Sequence, residues 1–125
     1  MRVLIAEDEK KTRAMLADML RELGCEIVEA ASGYEAIKLV QEHRPEVLVL
    51  DGLLPEMHGF EIARFVRSMG PDYRPRIVII TAVYKSQEYR NEAKLQFGVD
   101  HYLFKPVSKE QVAEAVFGTP PERGE

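Results

Sequence analysis

Residues 47–51 read Val47-Leu48-Val49-Leu50-Asp51. Four apolar side chains in a row leave no polar face, so a strand built from them has to be covered on both sides. The run then stops on a carboxylate. Two other stretches share this character. Val3-Leu4-Ile5-Ala6 is followed by Glu7 and Asp8, and Ile77-Val78-Ile79-Ile80 by Thr81. Glu26-Ile27-Val28-Glu29-Ala30 alternates in polarity and suits a strand nearer an edge. Tyr102-Leu103-Phe104, followed by Lys105-Pro106, is a shorter fifth candidate.

Helix-period segments separate these runs. Met15, Leu16, Met19, Leu20 and Leu23 form one apolar stripe, with Gly24 as its stop. Ala36, Ile37 and Val40 form a second, closed by Pro45, and Ile62, Ala63, Val66 and Met69 a third, ended by Gly70-Pro71. Tyr89, Ala93 and Phe97 mark a fourth before Gly98, and Val112 and Val116 a fifth. Strands and helices in strict alternation imply an α/β fold with a parallel sheet, right-handed crossovers and helices on both faces. The chain has 125 residues, enough for one domain with one core. It is 46% hydrophobic and 30% charged, with a formal net charge of −4, so its bulk charge gives no general reason to bind nucleic acid. Cys25 is the only cysteine, which excludes an internal disulfide and suits a reducing compartment. No signal-peptide pattern opens the chain and no apolar run is long enough to span a bilayer, so a cytoplasmic location without membrane association is expected.

In open parallel sheets, sites form beyond the carboxyl ends of the strands. Glu7 and Asp8 follow the first strand, Asp51 closes the third, Thr81 follows the fourth and Lys105 the fifth. If these strands are neighbours, their end residues converge on one rim. Three carboxylates brought together need a cation or a proton. Magnesium suits a site with few carboxylates and room for water and phosphate oxygens. A carboxylate beside such an ion, a lysine and a hydroxyl suits one chemistry: attack of Asp51 on a phosphoryl group to give an acyl phosphate, with the cations stabilising the equatorial oxygens. Each residue alone has an ordinary reading: Glu7-Asp8 as a polar loop, Thr81 as a helix cap, Lys105 as a surface lysine, Tyr102 as core. Their joint arrival at strand ends argues for a site.

These pieces resemble the receiver domain of bacterial two-component response regulators. The matching segments are Leu4-Ile5-Ala6-Glu7-Asp8; Val49-Leu50-Asp51 followed by Pro55 and Gly59; Ile79-Ile80-Thr81-Ala82; and Gly98-Val99-Asp100-His101-Tyr102-Leu103-Phe104-Lys105-Pro106. The resemblance implies a flavodoxin-like (βα)5 three-layer sandwich, its five-stranded parallel sheet ordered 2-1-3-4-5. It implies that Glu7, Asp8, Asp51 and the backbone carbonyl of Leu53 hold Mg2+. Asp51 is then the phosphoacceptor for a sensor histidine kinase or phosphotransfer protein, and Thr81 and Lys105 bind the phosphoryl oxygens. The Lys105-Pro106 bond resembles the family's cis peptide. Thr81 and Tyr102 fall where the family has its switch pair, acting on a face made of the fourth helix, fifth strand and fifth helix. The kinase docks on the exposed side of the first helix. Such a protein is not a turnover enzyme but a phosphoacceptor that assists its own phosphorylation and dephosphorylation.

The expected receiver unit covers residues 1–117, with residues 118–125 a flexible tail or the start of a linker. An output domain or downstream partner is unspecified, a homodimer stays open, and direct nucleic-acid binding by this domain is not expected. Departures from the family pattern are also legible. Position 7 is Glu where many members carry Asp. Leu53 and Val83 occupy two positions that tune dephosphorylation; neither can orient water, so a long-lived phosphoaspartate is expected. The stretch from Thr81 to Gly98 is about two residues longer than the common pattern. Arg64, Arg67, Arg74 and Arg76 read as a solvated face, the first-helix methionines as core, and Cys25 as a small buried residue. His43, His58 and His101 lack zinc-ligand spacing. Rival classes fit less well. A phosphatase of the haloacid dehalogenase type needs a second aspartate at position 53, which is Leu. A degenerate receiver that only binds a partner would have lost part of the acidic and lysine set. No glycine-rich loop follows the first strand to support a nucleotide fold.

Overall fold

The computed structural model describes residues 1–82, 91–92 and 97–118. The five strands are β1 (Arg2–Ala6), β2 (Glu26–Ala30), β3 (Val47–Asp51), β4 (Arg76–Thr81) and β5 (His101–Phe104). They form one parallel sheet in the order β2-β1-β3-β4-β5. Burial follows that order. Every residue of β3 is buried, β1 and β4 are buried after their first residue, and the edge strands β2 and β5 are only partly covered. This is why the three central strands are apolar except at their ends and β2 alternates.

Strand side chains alternate between the two faces, so each strand feeds two cores. Leu4, Leu48, Leu50, Ile77 and Ile79 pack against Ala36 and Val40 of helix α2 (Gly33–His43) and Ile62 and Val66 of helix α3 (Gly59–Arg67). Val3, Ile5, Val47, Val49, Val78 and Ile80 pack against Leu16 and Leu20 of helix α1 (Lys10–Glu22) and Val112 and Val116 of helix α4 (Lys109–Phe117). The result is the expected three-layer sandwich. Helix ends follow local chemistry. The Ser32 hydroxyl caps α2 by accepting from the Glu35 N–H, Ser108 and Gln111 form a reciprocal cap on α4, and Gly118 closes α4 in the left-handed region at φ 75°.

Two expectations are corrected here. Of the first-helix methionines only Met19, partly buried, packs against the core; Met15 is 44% exposed, because Leu16, Ala17 and Leu20 already fill the face toward the sheet. Arg67 is not part of a solvated face. Its guanidinium donates to the carbonyls of Gly98 and Pro75 and to the Asp100 carboxylate, tying α3 to the segments that lead into β4 and β5. The fourth predicted helix, its lengthening and Val83 lie outside the described residues.

Candidate functional site

β1, β3, β4 and β5 lie side by side, so their carboxyl ends share one rim. The pleat decides which side chains meet there. Glu7, Asp51 and Lys105 each fall two residues after an apolar residue of the α1/α4 face: Ile5, Val49 and Leu103. The same alternation that buries those three therefore carries the polar trio to a common side. The Lys105 ammonium donates to Glu7 Oε1 at 2.8 Å and to Asp51 Oδ2 at 3.1 Å. Glu7 and Asp51 are 2% and 8% exposed. Asp8, the next residue along, is exposed, and one oxygen from each of Glu7, Asp8 and Asp51 lies within 4.8 Å of the others. Thr81 ends β4 fully buried, and its backbone carbonyl accepts from the Lys105 N–H at 2.9 Å. That bond sets Lys105 one step beyond the Thr81–Phe104 pair of the ladder.

Charge balance shows what the cluster can accommodate. Three carboxylates against one ammonium leave two negative charges, which matches one divalent cation. The donors are hard oxygens, as magnesium prefers. Burial pushes the Glu7 carboxyl above its ordinary range, against the hydrogen bonds from Lys105 and the Glu9 N–H, and the charge of Asp51 adds to the rise. For Lys105, burial pulls the ammonium down, but its hydrogen bonds to Glu7 and Asp51 and their charges outweigh this and hold it above the usual lysine value.

Further contacts hold the rim in shape, and one of them comes from a residue that sequence reasoning passed over. The Arg13 guanidinium donates to the Glu7 backbone carbonyl at 2.8 Å and pairs with Glu29 of β2 at 3.3 Å, fixing the acidic loop from the side. No spacing rule marks it beyond its place in the first turn of α1. The Leu53 N–H donates to Asp51 Oδ1 at 3.1 Å, so both oxygens of that carboxylate are engaged. Gly59 opens α3 against the end of β3: a Cβ there would sit 2.4 Å from the Asp51 carbonyl oxygen. Only glycine allows that approach. The Leu53 side chain is 44% exposed beside Asp51. The Lys105–Pro106 bond is cis. Tyr102 lies inward, 5% exposed, stacked 6.1 Å from Phe60 and edge-on 5.7 Å from Phe104. An apolar cavity of about 370 Å³, lined in part by Met15, Ile80, Lys105, Pro106 and Val107, opens beside the lysine.

The fold and rim together define an open α/β domain with a largely buried acidic centre able to hold a divalent cation. The sequence also matches the pattern of the response regulator receiver domain over residues 3–117. The chain belongs to that family, whose general role is to accept a phosphoryl group within two-component signalling. The transcriptional regulatory protein PdtaR of Mycobacterium tuberculosis is 40% identical over 118 residues, covering 92% of this chain and 54% of that protein. A LuxR-family DNA-binding response regulator from Staphylococcus aureus superposes with a TM-score of 0.82 at 29% identity, covering 93% of this chain and 95% of that one. The chemotaxis protein CheY4 of Vibrio cholerae superposes with a TM-score of 0.83 at 27% identity, again over 93% and 95% of the two chains. The chain spans about half the length of the curated relatives it matches. Among the described residues, no helix is long and apolar enough to cross a membrane.

Proposed function

We propose that Asp51 is the phosphoacceptor of this receiver domain. The observation that carries this reading is the Lys105 ammonium bridging Glu7 and Asp51 at the common rim of four strands. An oxygen of the Asp51 carboxylate attacks the phosphorus of a phosphohistidine on a sensor kinase or phosphotransfer protein. The phosphorus–nitrogen bond breaks, and the electron pair leaves with the imidazole, which takes up a proton. Asp51 needs no separate base, since a carboxylate is ionised at neutral pH. Glu7, Asp8, Asp51 and the Leu53 carbonyl would hold magnesium, whose charge stabilises the phosphoryl oxygens when it is bound. Lys105 supplies the opposing positive charge and Thr81 a hydroxyl donor. The half-exposed Met15 and the cavity beside Lys105 suit docking of the donor protein next to the acceptor.

Tyr102 and Thr81 would form the switch. The inward pose of Tyr102 against Phe60 supports this role, since the ring fills space that movement of Thr81 would alter. In this reading residues 1–117 are the receiver unit and 118–125 a tail or the start of a linker. The Leu53 side chain offers no polar group to orient water, so the phosphoaspartate should persist. Treatment with acetyl phosphate plus magnesium tests the reading. Wild-type protein should gain one acid-labile, base-labile phosphoryl group per chain, and Asp51→Asn none. Equal labelling of the variant would overturn the assignment. Decay of the label within seconds would remove the claim of persistence alone.

A further inference from the structure

A second polar recess lies at the opposite pole of the sheet, where the strands begin. It has a volume of about 300 Å³ and is lined by Arg67, Arg74, Pro75, Arg76 and Asp100. An adjoining recess of about 250 Å³ shares Arg74 and Pro75 and adds Arg44, Glu46 and Tyr73. Four arginines against two acids give this pole a local excess of two positive charges in a chain of net charge −4.

The acids are already engaged. The Asp100 carboxylate accepts from Arg67 at 3.1 Å and from the Ile77 N–H at 2.8 Å, and Glu46 accepts from the Arg2 N–H at 2.8 Å. The arginines are engaged unequally. Arg67 uses four of its five N–H donors on Gly98, Pro75 and Asp100, which fixes its plane. Arg76 uses one, on His101 Nε2 at 3.2 Å. Arg44 lies over the Tyr73 ring at 5.3 Å, and Arg74 makes no hydrogen bond or ion pair among the described residues. The recess thus presents a fixed guanidinium flanked by two with open donors. Planar forks of this kind match the tetrahedral oxygens of phosphate.

We infer that this pole is a binding site for a phosphate-class oxyanion, held by Arg74 and Arg76 against the anchored Arg67. It is separate from the acidic rim, whose excess negative charge repels such a ligand. The inference does not rest on the role proposed for Asp51.

The test uses the full chain without magnesium and pyrophosphate as probe, at constant ionic strength, with backbone amide shifts followed by NMR. Saturable shifts at Ile77, Asp100 and His101 are expected. Arg74→Gln and Arg76→Gln should each weaken binding about ten-fold, as loss of one charge-assisted contact does. Arg67 is left intact because it ties three segments together. A nucleoside diphosphate that binds tighter than pyrophosphate would identify a phosphoester ligand; equal affinities would identify the free anion. Non-saturating shifts, shifts reproduced by chloride, or affinities unchanged in both variants would overturn the site. So would retention of an acidic peptide without any response to pyrophosphate.

Discussion

Replacing Lys105 with methionine keeps most of the apolar stem and removes the ammonium that bridges two buried carboxylates. The carboxylate oxygens lie within 4.8 Å of each other. At that separation each ionised pair repels by about 3 kcal/mol at an effective dielectric near ~20. Breaking a fully buried ion pair costs about 3–5 kcal/mol. Two features reduce the loss here: the Lys105 side chain keeps 23% exposure, and the raised Glu7 carboxyl can take up a proton. We expect a loss of about 2 kcal/mol at neutral pH without magnesium, measured by urea unfolding. Saturating magnesium should shrink the deficit, because the ion supplies the missing charge and binds the variant more tightly; at a hundred-fold excess over Kd, binding adds about 2.7 kcal/mol to either protein. The deficit should also shrink as pH falls. A raised Glu7 pKa means the folded state holds that proton more tightly than the unfolded state, so its contribution is present at acid pH and lost as pH rises through the raised value. Without Lys105 the rise is greater and the loss larger. Equal deficits with and without magnesium and at every pH would refute the reasoning, since the lysine would then matter only as packing.

Magnesium affinity of the wild-type protein should fall as pH is lowered through the raised range of Glu7, because the proton and the ion compete for one carboxylate; calorimetric titration at several pH values checks this. Gly59→Ala should destabilise by about 2 kcal/mol and slow labelling of Asp51, because the added methyl would meet the Asp51 carbonyl 2.4 Å away; thermal unfolding and acetyl phosphate labelling read the two effects. Tyr73→Phe should cost about 1 kcal/mol, the worth of the 2.6 Å hydrogen bond from its hydroxyl to the Pro45 carbonyl. Burial pushes that phenol up to about 12 against the nearby charges of Arg44 and Arg67. Its contribution is therefore complete below the ordinary tyrosine range and lost as pH rises through about 12, and ultraviolet titration should show a late tyrosine that vanishes in the variant.

The sheet's central strands were legible because strands buried on two faces admit chiefly apolar residues. Val47–Leu50 could hardly be anything else, and Asp51 at its end could hardly be core. The family's ordered motifs supplied the strand order, which periodicity alone does not give. Other features were illegible for a physical reason: they depend on which atoms face each other across the fold. Met15 and Leu16 are equally apolar neighbours in sequence, yet one is 44% exposed and the other 2%. Arg67 looked like any surface arginine, and only the approach of Gly98 and Pro75 makes it a structural tie. Arg13 carries no motif at all, since its work is done on the backbone carbonyl of Glu7.

The Arg67 tie has a consequence for how this domain tolerates change in its own length. One guanidinium from α3 grips the approach to β4 through Pro75 and the approach to β5 through Gly98 and Asp100. The far ends of the same strands are clasped where the Lys105 N–H meets the Thr81 carbonyl. The two strands are thus pinned at both ends independently of the chain that joins them. Residues can be gained or lost between Thr81 and Gly98 without shifting Lys105 relative to Asp51. The acidic rim and the stretch of chain between Thr81 and Gly98 can then diverge at different speeds, one held fixed by four anchored strand ends and the other free to change.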